Sequence, residues 1–133
     1  MTRDIHRIVI GKEGIDQYGH VNYKQFLGLF ESAQDAFMNR LGYGFDELES
    51  ARRIRSVVKH YSVTIFHELR EGERCQIHTK VEAGNTSLSF KQILQNDDCI
   101  GIVAEYTMIV VLVDANQMTR KVSIPSELRS ALA

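Results

Sequence analysis

A single carboxylate, Asp16, opens the stretch Asp16-Gln17-Tyr18-Gly19-His20-Val21-Asn22-Tyr23, which runs straight into an amphipathic segment from Lys24 to Leu41. A helix that starts there leaves its first backbone N–H groups unpaired and carries partial positive charge. It can therefore polarise a carbonyl oxygen, or hold an anion, beside the carboxylate. Gly19 has no side chain to keep a ligand away from the backbone. Each residue also has a plainer reading. Asp16 fits a loop or cap, Asn22 fits the N-cap of the helix, His20 either orients water or Asp16 or shapes the loop, and Tyr23 either lines a pocket or packs.

The elements that would position these residues follow from hydrophobic spacing. Phe26, Phe30, Ala33, Phe37 and Leu41 recur every three or four residues, predicting a long buried helix that Gly42 and Gly44 terminate. Glu31 interrupts this apolar stretch; a carboxylate buried there requires a partner, so it is a candidate second acid or a hydrogen-bonding group toward the loop or a neighbouring protomer. Phe45 to Arg52 predicts a short second helix capped by Asp46 or a residue near it. Arg3 to Ile10 alternates as a first strand. From Arg55 to about Val113 the pattern is strand throughout. Val57, Tyr61, Val63 and Ile65 are expected on one face, and Cys75, Ile77, Thr79 and Val81 on the inward face of the next strand. Gly84-Asn85 turns into Leu88 to Leu94, Asn96-Asp97-Asp98 turns again, and Ile100 to Val113 closes the set. Because Met108 to Val113 is apolar on both faces, the last strand must be covered twice, and dimerisation is the economical cover. Pro125 is placed at the first position of a short terminal helix packed through Leu128 and Leu132.

The bulk properties narrow the function classes. At 133 residues a single domain, 1–133, is expected. Sixteen Lys and Arg against seventeen Asp and Glu leave a net charge of −1, which gives no basis for a nucleic-acid groove or an anionic membrane surface. The one basic cluster, Arg52, Arg53 and Arg55, reads as a solvated loop or as a phosphate-binding rim. Met1 to Ile10 lacks a signal-peptide run and no window approaches a membrane span, so a cytoplasmic, soluble protein is expected. Cys75 and Cys99 read as buried free thiols. The histidines His6, His20, His60, His67 and His78 show no metal-ligand spacing, and no metal site is expected.

Several of these stretches together resemble a known family. Asp16, Gly19, His20, Val21 and Asn22, then Phe26 and Phe30-Glu31-Ser32-Ala33, then Gly72-Glu73, Gly84-Asn85-Thr86-Ser87-Leu88-Ser89-Phe90 and Ile124-Pro125, stand in the order found in the 4-hydroxybenzoyl-CoA thioesterase family of hot-dog-fold acyl-CoA thioesterases. The resemblance implies an α+β hot-dog fold, one long central helix wrapped by a five-stranded antiparallel sheet in the order β-α-β-β-β-β. It implies hydrolysis of an acyl-CoA by a homodimer, paired again into a homotetramer, with the active site between protomers and no cofactor beyond the coenzyme A of the substrate. Asp16 is then the general base or the nucleophile, with His20 beside it. Gly19, Val21, Asn22 and Tyr23 shape the loop and supply amides, and Lys59, His60, Asn85, Thr86 and Ser87 meet the coenzyme. The sequence departs from the family at Tyr23, where a second Asn is frequent, and at Phe66-His67-Glu68-Leu69, where a proline is frequent. The latter change is expected to concern only the end of the strand. The alternatives are a hot-dog module that binds an acyl thioester without cleaving it, and a hydratase or dehydratase on the same fold.

Overall fold

Residues 3–98 and 101–133 are described by a computed structural model. Strand β1 (Arg3–Val9) is followed by helices α1 (Tyr23–Arg40) and α2 (Phe45–Arg52). Strands β2 (Ile54–Ile65), β3 (Arg74–Ala83), β4 (Ser87–Asn96) and β5 (Ile102–Asp114) come next, and α3 (Ser126–Leu132) ends the chain. The strands form one antiparallel sheet in the order β1-β3-β4-β5-β2, so β1 and β2 are its edges.

One face of this sheet is buried, and period-two alternation dictates which residues line it. Cys75, Ile77, Thr79 and Val81 of β3, with Leu88, Phe90, Gln92 and Leu94 of β4, are almost wholly excluded from solvent, as β3's spacing predicts. Cys99 and Ile100 lie outside the described residues, and β5 starts at Ile102. Against this face α1 sets Phe26, Phe30, Ala33, Phe37 and Met38. Phe30 has 0% exposure and stacks on Tyr106 of β5 with centroids 5.0 Å apart. Phe30→Ala is expected to cost about 3–5 kcal/mol through lost burial and the cavity left behind, read from the midpoint of a denaturant titration.

The buried polar side chain on α1 is Gln34 rather than Glu31. Gln34 donates to Gln92 (2.8 Å), which donates to the Phe30 carbonyl (3.1 Å) and the Thr79 hydroxyl (3.0 Å). Each of these polar groups is paired, so the layer holds its place beneath the helix without an unpaired donor.

Strand β2 differs from its expected pattern. Its register against β5 shifts between Val58 and His60, a bulge at Lys59. Two residues there oppose one, and the alternation inverts. Val57, paired with Val111, thus faces away from the helices, whereas Tyr61, Val63 and Ile65 pair with the buried Met108, Tyr106 and Ala104. Two helix boundaries also differ in detail. Gly44, two residues before Asp46, is the N-cap of α2, and Pro125 is the N-cap of α3 rather than its first residue.

Candidate active site

The loop between β1 and α1 folds around Asp16. Its backbone N–H donates to the His20 carbonyl (2.8 Å), and the Gly19 N–H donates to the Asp16 carbonyl (3.0 Å). Gly19 sits at φ 81°, a conformation that other residues adopt only at a cost. The side chain is held as firmly: Asp16 Oδ1 accepts the Tyr18 amide at 2.9 Å and the His20 amide at 3.1 Å. The His20 amide bond, opposed by partial burial and aided by the Tyr18 amide and the His20 charge, holds this carboxyl below the ordinary Asp range. No described group donates to Oδ2, so one oxygen is anchored and the other is open.

Two further sets of bonds fix the loop. Val21 donates to the carbonyl of the fully buried Leu69 (2.7 Å), and Asn22 donates to that of Gly14 (2.6 Å). His20 Nε2 lies 2.9 Å from Glu68 Oε2, and Glu68 Oε1 meets Arg70 at 3.3 Å. The segment Phe66–Leu69 therefore does more than end a strand: it anchors the Asp16 loop. Asn22 is the N-cap of α1, its Oδ1 accepting the Lys24 amide at 3.0 Å. Of the amides from His20 to Tyr23, three are thus committed within the protein, to Asp16, Leu69 and Gly14. The Tyr23 amide donates to no acceptor among the described residues. Beside it Asp16, His20, Tyr23, Phe26, Ile65 and Phe66 line an open cavity of about 310 Å³.

The thioesterase-like superfamily matches residues 10–132. The chain belongs to that superfamily. At that level it is a thioester hydrolase. Solved structures share the hot-dog fold across nearly its whole length. The 1,4-dihydroxy-2-naphthoyl-CoA thioesterase from Synechocystis superposes with a TM-score of 0.89 at 14% identity, over 98% of this chain and 95% of that one. A gentisyl-coenzyme A thioesterase gives 0.82 at 18%, over 98% and 100%. A Pseudomonas aeruginosa protein gives 0.84 at 24%, over 97% and 88%. No curated protein sequence matches the chain.

The other candidate residues of this thioesterase lie away from Asp16. Glu31 is exposed, not buried; it borders a second cavity of about 410 Å³ with Asp35 and Asp46, and burial, then the charges of Glu31 and Asp46, push the Asp35 carboxyl up. Lys59 and His60 are exposed at the β2 bulge. Asn85, Thr86 and Ser87 form the β3–β4 turn, where Asn85 and Thr86 carbonyls accept Ile124 (3.0 Å) and Leu112 (2.9 Å) amides. That turn stands beside Val111 and Val57, whereas Asp16 stands beside Ile65. The intervening length of β2 spans roughly 25 Å at about 3.3 Å per residue. Within one chain the turn and the carboxylate do not meet.

The arginine cluster is engaged internally. Arg55 makes a two-pronged pair with Glu49 (3.0 and 2.8 Å), Arg53 donates to Asn116 (2.5 Å), and Arg52 lies over the Tyr43 ring at 4.9 Å. No group of three His, Cys, Asp or Glu suited to a metal occurs among the described residues, and no described helix is long and apolar enough to cross a membrane. Neither Glu68 nor Gln92 stands out in the sequence as a site residue. Gln92 carried a usable signal, a polar residue in the inward series Leu88, Phe90, Leu94. Glu68 carried none, because its partner is 48 residues away.

Proposed function

We propose that the chain is an acyl-CoA thioesterase of the 4-hydroxybenzoyl-CoA thioesterase type, with Asp16 acting through Oδ2. One observation carries this reading: Asp16 lines an open cavity at the start of α1 with Oδ1 tied by two amides and no described donor on Oδ2. In thioester cleavage negative charge builds on the carbonyl oxygen while a thiolate, a good leaving group, departs. A carboxylate and an N–H dipole can therefore suffice without a Ser-His-Asp set. The Tyr23 amide, reinforced by the N-terminal dipole of α1, is the donor for that oxygen. Oδ2 either takes a proton from the attacking water or attacks the carbonyl carbon to form a mixed anhydride that water then opens. The His20 imidazole bonds to Glu68, and His20 meets the Asp16 carboxylate only through its backbone amide, so the paired His and Asp side chains that a hydratase would use are not supported.

The site is completed by a second copy. Val58, Tyr61 and Ile65 on the β2 edge are 52%, 54% and 40% exposed, and Phe66 just beyond is 51% exposed. An apolar edge strand of this kind is a template for pairing. Two β2 strands running antiparallel across a twofold axis bring the start of one, level with its 85–87 turn, toward the Ile65 end of the other, where Asp16 sits, with Lys59 and His60 at the middle of the seam. The coenzyme is thus held by the partner of the chain that supplies the carboxylate. Exposed Ile5, Ile93 and Ile109 on the outer sheet face favour a second pairing, into a tetramer.

Two outcomes follow. The ionised Asp16 that the reaction needs persists through neutral pH, because its carboxyl is held below the ordinary range; turnover falls only as pH drops through that lowered value. An acid limb centred above the usual Asp value of about 3.9 would contradict this. The function itself is tested by turnover in H₂¹⁸O with mass analysis of products. Hydrolysis places solvent oxygen in a released carboxylic acid, or first in Asp16 if it is the nucleophile and water opens the mixed anhydride at its Cγ, and frees one thiol for each acid. Solvent oxygen on the acyl chain with no thiol would indicate a hydratase, and intact retained ester would indicate a binding module.

A further inference from the structure

We propose that Glu68 is a positioning residue for the thioesterase reaction, holding the Asp16 loop at the end of β2 through the His20 imidazole; this rests on the assignment of Asp16 above. Two adjacent residues of the loop are joined to two adjacent residues of the strand exit. His20 Nε2 meets Glu68 Oε2 at 2.9 Å, and the Val21 amide meets the Leu69 carbonyl at 2.7 Å. Leu69 is fully buried and so gives this clamp a fixed base. Glu68 is held from its other oxygen by Arg70 at 3.3 Å.

His20 is the hinge between the clamp and the carboxylate. Its amide donates to Asp16 Oδ1 (3.1 Å), and its carbonyl accepts the Asp16 amide (2.8 Å). Any swing of His20 therefore displaces both of its bonds to Asp16, and with them the direction of Oδ2. The ionisable groups around the imidazole are Asp16 on its own loop and His67 and Glu68 from the strand exit, with Arg70 behind Glu68. Nε2 donates to the carboxylate whether the ring is neutral or protonated, so the clamp needs an acceptor at position 68 rather than a particular charge on His20. The Glu68 side chain is 55% exposed, so the pair contributes little to global stability. An effect on turnover is thereby separable from unfolding.

The test compares Glu68→Ala, Glu68→Gln, His20→Ala and the His20→Ala/Glu68→Ala double variant by acyl-CoA hydrolysis, together with amide hydrogen exchange. Glu68→Ala is expected to lower kcat about tenfold with KM changed by less than about twofold, since misplacing a reacting group costs rate more than binding. Glu68→Gln retains an acceptor and is expected to keep kcat within about threefold. In the His20→Ala background Glu68→Ala should have no further effect, because it acts through that ring. The Val21 amide should exchange faster in Glu68→Ala, a readout independent of turnover. Unchanged kcat in Glu68→Ala, additive losses in the double variant, a Gln variant no better than Ala, or unchanged Val21 exchange would each overturn the proposal. If Asp16→Asn is inactive while Glu68→Ala is unaffected, only the role of Glu68 fails; an active Asp16→Asn removes the parent reading, and Val21 exchange still reports on the clamp.

Discussion

Asp16→Asn is expected to fold, associate and bind acyl-CoA like the parent while losing about 10³-fold in kcat, in line with the 10²–10⁴-fold contribution of a positioned proton acceptor. The substitution is mild for the loop. An Asn Oδ1 can still accept the Tyr18 and His20 amides, which lie 2.9 and 3.1 Å from the present Oδ1. What changes is the open position, where an uncharged NH₂ replaces an oxygen that could take a proton or attack carbon. The residual rate should come from the Tyr23 amide and the α1 dipole, which the substitution leaves in place. Steady-state kinetics with matched thermal midpoints checks this. A kcat within tenfold of the parent would remove Asp16 from the mechanism.

Placing charge on the β2 edge is expected to be as damaging by a different route. In a chain carrying Val58→Asp and Tyr61→Asp, both positions are about half exposed, so each chain should still fold. Opposed across two antiparallel β2 strands, the four carboxylates would repel one another and lose their water on pairing. The variant should run as a monomer by light scattering and retain less than about 1% of the parent turnover, because Asp16 would lack the 85–87 turn that the proposed dimer brings to it from the partner. A variant that stays dimeric, or a monomer that turns over normally, would show that the site does not depend on this edge.

Much of the architecture was legible because it is written in short-range patterns. The α1 stripe Phe26, Phe30, Ala33, Phe37 and the β3 alternation Cys75 to Val81 each follow from a single period, and each is buried as that period requires. Asn22 as N-cap follows from the preference of its side chain for a helix start. What was not legible depends on long-range geometry. The bulge at Lys59 inverts β2, and nothing local marks it. Glu31 looked costly from its apolar neighbours, yet it falls on the open side of the helix, and Gln34 one turn on is the buried group. The loop around Asp16 was recognisable as a candidate site, but its hydrogen bonds were not. Only the fold shows that three of its amides are committed, to Asp16, Leu69 and Gly14, and that Glu68 reaches His20.

Cleavage of acyl-CoA thioesters at this loop is tested by the time course of free CoA thiol released by the purified protein from a series of acyl-CoA esters. Continuous, multiple-turnover release of thiol from at least one ester is expected, matched by an equal amount of free acid. Retention of intact ester at one per site, with no thiol released above the uncatalysed rate across the series, would contradict it.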